Sequence, residues 1–159
     1  MAAIRPATAG DVPAMVDLVR GLAAYERAAG QVELTPEPLE AALFGDHPAV
    51  FAHVATVEGE VGGFALWFVT FSTWLGRHGI YLEDLYVKPE HRGEGLGKAL
   101  LAELARVCVE RGYGRLEWSV LDWNTPAVDF YRAHGATPQQ EWTVFRLTGS
   151  PLRQLAGIQ

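Results

Sequence analysis

The stretch IYLEDLYVKPEHRGEGLGKALL, residues 80–101, decides the fold. It opens as an apolar run interrupted by two carboxylates, passes through three alternating glycines (Gly93, Gly95, Gly97), and ends in a helical repeat. A glycine inside a regular element costs roughly 0.5–1 kcal/mol relative to alanine, so alternating glycines imply that something approaches the backbone closely. Two common phosphate loops fail on spacing. A dinucleotide fingerprint needs a third glycine or alanine where Lys98 stands, and a P-loop needs glycine and a hydroxyl where Arg92 and Ala99 stand. What remains is a strand, a short glycine loop and a helix whose first N–H groups and positive dipole end face an anion. The pattern predicts that residues 92–98 cradle a pyrophosphate; a flexible turn is the plain alternative.

Outward from this stretch the chain alternates in type. AIRPAT reads as an edge strand, its proline tolerated only near an end. Thr8 with Asp11 resembles a capping arrangement opening a helix through VPAMVDLVRGLAAYER, where apolar residues recur at helical spacing. Thr35 and Pro36 suit the start of PEPLEAALFG, which stops near Gly45. AVFAHVATV, EGE and VGGFALWFVTF read as a hairpin, and GIYLEDLYV as the next strand. The helix after Gly95 keeps Leu96, Leu100, Leu104, Val107 and Cys108 on one face as far as Gly112. RLEWSVL is a further strand. TPAVDFYRAHG is a short helix capped by Thr125, with Pro126 first and Gly135 at its stop, and EWTVFRL is a last strand. This order predicts an α/β (α+β) fold: one domain over residues 1–159 with a mixed sheet, no linker and no internal repeat.

Composition sets the class. The chain has 159 residues, 49% hydrophobic and 20% charged, which allows a proper core without disulfide or metal staples. Its one cysteine, Cys108, falls at an apolar helical position and reads as a buried, inert thiol. A reducing cytoplasm fits, and MAAIRPAT lacks the apolar core of a secretory signal. The formal net charge is −6 and the cations are scattered, which argues against nucleic acid and anionic membranes. His78, His91 and His134 lack metal-ligand partners at suitable spacing and read as surface or loop residues, so no metal is expected.

YVKPEHRGEGLGKALL resembles the acetyl-CoA loop of the GCN5-related N-acetyltransferases (GNAT), whose pattern Q/R-x-x-G-x-G/A is met by Arg92, Gly95 and Gly97. VLDWNTPAVDFYRAHGA is similar to that family's later Asn-x-x-Ala-x-x-Phe-Tyr segment, and IRPAT with an acidic helix start is similar to its first strand and helix. The likeness spans essentially the whole chain. LAAYERAAGQVELT, STWLGRHGIYLEDLYV and LDWNTPAVDFY resemble the branch holding the diamine (spermidine/spermine) and thialysine acetyltransferases, although Ala24 stands where that branch commonly has lysine.

The resemblance implies acetyl transfer from acetyl-CoA to a small primary amine, such as a diamine, a polyamine or a lysine-like amino acid, by direct attack in a ternary complex. A primary amine near pKa ~10.4 is ammonium at neutral pH, so a proton acceptor is required. Glu83 and Asp84 are adjacent, and adjacent strand residues face opposite ways unless a bulge intervenes. The resemblance selects Glu83 as general base through water, with structural ion pairing as the plain alternative. It selects Tyr131 as general acid toward the thiolate; Tyr131 lies about 100° round its helix from Phe130, which reads as core. For the cofactor it implies main-chain pairing along Leu85, Tyr86 and Val87, a pyrophosphate cradle from Arg92, Gly93, Glu94, Gly95, Leu96, Gly97 and Lys98, and further contacts from Asn124, Pro126 and Ala127. Asn124 reads equally well as only a cap. Tyr25, Glu26, Glu117, Trp118 and Ser119 are implied near the amine, where carboxylates and aromatic faces suit an ammonium; Glu26 reads equally as a solvated helix residue. A homodimer is expected, both from the branch and from the apolar EWTVFRL. Two other readings stay open on sequence: a non-catalytic acyl-CoA sensing module and a protein N-acetyltransferase.

Overall fold

In the computed structural model, which describes residues 1–158, the chain divides into two compact units, Met1–Leu121 and Asp122–Gln159. The first unit holds β1 (Ala2–Pro6), α1 (Val12–Tyr25), α2 (Pro36–Phe44), β2 (Phe51–Val57), β3 (Glu60–Ser72), β4 (Arg77–Val87), α3 (Leu96–Arg111) and β5 (Leu116–Trp118). The strands form one sheet in chain order; every pairing is antiparallel except that of β4 with β5. The hairpin between β2 and β3 turns on Glu58 and Gly59, both at positive φ (51° and 82°), the backbone that a two-residue turn between right-twisted strands requires.

Strand alternation divides the core between the two faces of the sheet. One face sends Val54, Phe64, Leu66 and Tyr86 against Val12, Met15 and Val16 of α1 and Leu39 and Leu43 of α2. The other carries His53 and Trp67, which meet α3 through Glu103 and Arg111. Leu96, Leu100, Leu104 and Cys108 form the buried stripe of α3, as their spacing predicts. Each fully buried side chain of this size contributes about 1.5–3 kcal/mol, so the two layers hold the sheet from both sides. The predicted capping at Thr8 is present: its backbone N–H donates to Asp11 Oδ2 at 2.7 Å, and Arg5 grips the same carboxylate at 2.7 and 3.0 Å. The guanidinium and the Thr8 donors hold the buried Asp11 carboxyl below its usual range.

The second unit contains α4 (Thr125–Ala133) and α5 (Gly149–Leu155). Here three expectations are corrected. EWTVFRL forms no strand among the described residues; Val144 and Phe145 are 86% and 90% exposed, and apolar alternation without a sheet neighbour supplies no ladder hydrogen bonds. Asn124 caps α4, accepting from the Ala127 N–H at 3.4 Å, while Thr125 is already helical. Phe130 is half-buried rather than core. Within the first unit, β5 covers only Leu116–Trp118 of the predicted RLEWSVL. No helix among the described residues is long and apolar enough to cross a membrane.

Candidate active site

The two adjacent carboxylates of β4 sit at a break in register. Leu66 pairs with Asp84 and Trp67 with Leu82, so Glu83 is an extra residue with no partner on β3. A bulge of this kind bends the strand and re-aims side chains that strict alternation would send to opposite faces. Asp84 shares the α1 face with Leu66, and it is half-buried, whereas Glu83 is exposed. Burial, then the charges of Glu83 and Glu26, push the Asp84 carboxyl up to about 6. Burial likewise raises the Glu26 carboxyl. The charges of Glu83 and Glu26 thus both bear on Asp84, an arrangement that a bound cation relieves.

The parallel pairing with β5 ends at Leu82 and Trp118. From Glu83 to Val87 the β4 edge on that side makes no further pairing, which leaves main chain for an extended ligand to join as an added strand. The side chains here do ordinary packing. Tyr86 is buried against α1, where a Cβ on Gly21 would come to 2.9 Å from its ring, and a Cβ on Gly97 would lie 4.0 Å from Val87 Cγ2.

Beyond Val87 the glycine loop has the backbone that its composition predicts. Gly93 and Gly95 stand at φ +82° and +81°, in the left-handed region, and a Cβ on either would meet nothing within 4 Å. These glycines therefore answer to backbone conformation and to open space above it, not to tight packing. Gly95 caps α3, and the first helical bond runs from the Ala99 N–H to the Gly95 carbonyl at 3.0 Å. The N–H groups of Leu96, Gly97 and Lys98 precede that bond, so they have no acceptor within the helix. A pyrophosphate fits this open cradle of amides at a positive helix end. Leu96 gives only its amide, since its side chain is buried in the core, and Glu94 is drawn toward His91 Nδ1 at 3.5 Å.

Arg92 opens the loop with its Nε donating to the Val87 carbonyl at 3.2 Å. Its guanidinium lies over the rings of Tyr25 and Tyr86, with centroids 5.1 and 5.5 Å away. Just past β5, the Ser119 hydroxyl is 2.6 Å from that of Tyr81, while Glu117 lies 4.0 Å from Arg115 and lines a pocket with Arg77 and His78. The Arg115 guanidinium competes with any ammonium for the Glu117 carboxylate. In the second unit, Tyr131 is half-buried on α4, its ring 5.6 Å from that of Phe130 and close to perpendicular at 68°. Pro126 and Ala127 form the first turn of the same helix.

The first unit thus brings Tyr25 to Arg92, and Glu26 and Glu83 to Asp84. Two contributors escaped the sequence reading. Asp84 was passed over, although its place in an apolar strand was a signal that one of the two carboxylates is buried. The contact of Arg92 with the Tyr25 ring, far away in the chain, leaves no local signal at all. Cys108 is buried as predicted, with its thiol pushed up by burial.

Comparison with known proteins gives the family. The chain is 41% identical over 165 residues to a thialysine N-epsilon-acetyltransferase of Bos taurus, covering 97% of this chain and 96% of that protein. It is also 41% identical over 95 residues to an L-ornithine N5-acetyltransferase of Arabidopsis thaliana, covering 60% of this chain and 42% of the other. Among solved structures, an integron cassette protein from the mobile metagenome of V. cholerae superposes with a TM-score of 0.82 at 26% identity, over 98% of this chain and 97% of that one. The profile of the acetyltransferase (GNAT) family matches residues 17–136, most of the chain, and the protein belongs to that family.

Proposed function

We propose that the chain works as a single N-acetyltransferase domain that moves acetyl from acetyl-CoA to a primary amine of a small molecule: a diamine, a polyamine or a lysine-like amino acid. The observation that carries this reading is the β4 bulge, which gathers Glu83 and Asp84 near Glu26 on the strand that leads into the glycine cradle. Relatives named for thialysine and L-ornithine support an amino-acid amine. Bound acetyl-CoA supplies the thioester.

The chain's own residues would divide the work in a ternary complex. Amides of residues 93–98 hold the pyrophosphate, with Arg92 at the entrance, and the main chain of Leu85, Tyr86 and Val87 aligns the pantetheine arm. Asn124, Pro126 and Ala127 add contacts from the first turn of α4. Glu26 and Asp84 attract the ammonium; Glu117, Trp118 and Ser119 are assigned to the amine pocket by the same resemblance that selects Glu83. Through a water, Glu83 takes the proton that frees the nitrogen lone pair. As the N–C bond forms and the C–S bond breaks, the Tyr131 hydroxyl gives its proton to the leaving sulfur. No metal is required by this scheme. We further infer a cytoplasmic homodimer, in which a second copy covers the exposed Val144 and Phe145.

The test is CoA-thiol release by the purified protein with putrescine, spermidine, spermine, thialysine, ornithine, lysine and lysine-containing peptides. Turnover on a small amine is the expected result. Turnover on peptides alone would replace the reading with a protein acetyltransferase, and CoA binding without turnover on any acceptor would replace it with a sensing module.

A further inference from the structure

We propose that Tyr25 and Tyr86 are positioning residues which clamp the Arg92 guanidinium between α1 and β4 and so set the entrance of the pyrophosphate loop. Tyr25 then serves the cofactor end of the site and not the amine. The inference rests on the acetyltransferase reading for the identity of the ligand, and on the geometry of three elements for the clamp.

Tyr25 is the last residue of α1, Tyr86 lies at the end of β4, and Arg92 begins the glycine loop. The guanidinium carbon sits within the range at which ring faces attract a cation, 5.1 Å from one centroid and 5.5 Å from the other. A third hold comes from the Nε bond to the Val87 carbonyl. An exposed arginine otherwise samples many rotamers, and ordering it on ligand binding costs affinity. Fixing it beforehand removes that cost and gives the loop a rigid first residue.

Both rings are themselves held. Gly21 stands inside α1, where glycine is unfavourable, and a Cβ there would come to 2.9 Å from both Cε2 and Oη of Tyr86. The missing side chain lets the Tyr86 ring lie against the helix. Past Tyr25, the Arg27 N–H bonds the Ala24 carbonyl at 3.1 Å and the Ala28 N–H bonds the Ala23 carbonyl at 2.7 Å. This double closure of the helix end puts Arg27, a non-glycine residue, at φ +62° and fixes the last turn that carries Tyr25. With Arg92 over its ring, Tyr25 offers that face to an ammonium only at the cost of setting two cations side by side.

The experiment measures Kd for CoA and for ADP by titration calorimetry on the full chain, with KM for acetyl-CoA and for the amine alongside. Tyr25→Leu should weaken CoA and ADP about fivefold to tenfold and leave the amine KM within about twofold. Tyr25→Phe, which keeps the ring, should hold CoA affinity near wild type, and Gly21→Ala, which displaces Tyr86, should weaken CoA as Tyr25→Leu does. An unchanged CoA Kd in Tyr25→Leu, with a raised amine KM, would overturn the clamp while leaving the acetyltransferase reading intact. A wild-type chain that binds no CoA would overturn both.

Discussion

At the scale of single residues, the site holds two carboxyls, Asp84 and Glu26, away from their ordinary state. The Asp84 carboxyl, pushed up to about 6 by burial and by two neighbouring carboxylates, binds its proton more tightly in the folded chain than in the unfolded one. Its contribution to stability is therefore present below its unfolded value, near 4, and is lost as pH rises through about 6. Asp84→Asn should raise Tm at pH 8 by about 2–5 °C, with the gain shrinking below pH 6 and gone near pH 4, as scanning calorimetry across that range would read. The same variant should lower kcat/KM for a cationic amine about tenfold, because in the proposed scheme the carboxylate that destabilises the empty fold is the one that attracts the ammonium. Tyr131 calls for a different test. Tyr131→Phe should lower kcat about 10²-fold in the CoA-thiol assay while the CoA Kd stays put; unchanged turnover would remove the hydroxyl from the mechanism.

At the scale of elements, two junctions matter. Where the loop meets α3, Gly95→Val would place a branched side chain at φ +81° and fill the open cradle. The variant should keep its helical circular dichroism and lose CoA affinity by more than about tenfold in calorimetry. Where β2 and β3 meet α3, the buried His53 accepts a hydrogen bond from Trp67 Nε1 at its Nδ1 (3.2 Å), so that nitrogen must be unprotonated. Burial pulls the His53 pKa down, outweighing the Glu103 carboxylate that faces Nε2 at 3.8 Å. The folded state thus binds this proton less well than the unfolded state, and stability present above about pH 6.5 is lost as pH falls. Replacing the ring with an acceptor that does not titrate, His53→Gln, should flatten the fall of Tm between pH 6.5 and 5.

At the scale of the whole molecule, Val144 and Phe145 leave apolar surface uncovered, and the proposed second copy covers it. Phe145→Lys should convert a dimeric mass to a monomeric one in light scattering behind size exclusion; a wild-type chain that is already monomeric would end that proposal. Much of the design was legible in the residues alone. Glycine spacing in residues 92–98, helical periodicity in α1 and α3, and the turn at Glu58 and Gly59 are local matters, set by backbone sterics and by the faces that a period of 3.6 or 2 presents, so the sequence by itself determined these elements and the open glycine loop before α3. EWTVFRL misled because strand periodicity states a preference that only a paired neighbour can satisfy. Tertiary structure alone decided which carboxylate is buried, since a bulge is a property of two paired strands, and that the Tyr25 ring meets Arg92, since that contact joins residues far apart in the chain. The physical reason is the same in each case: periodicity and caps are local, whereas register, burial and charge proximity exist only once the sheet has assembled.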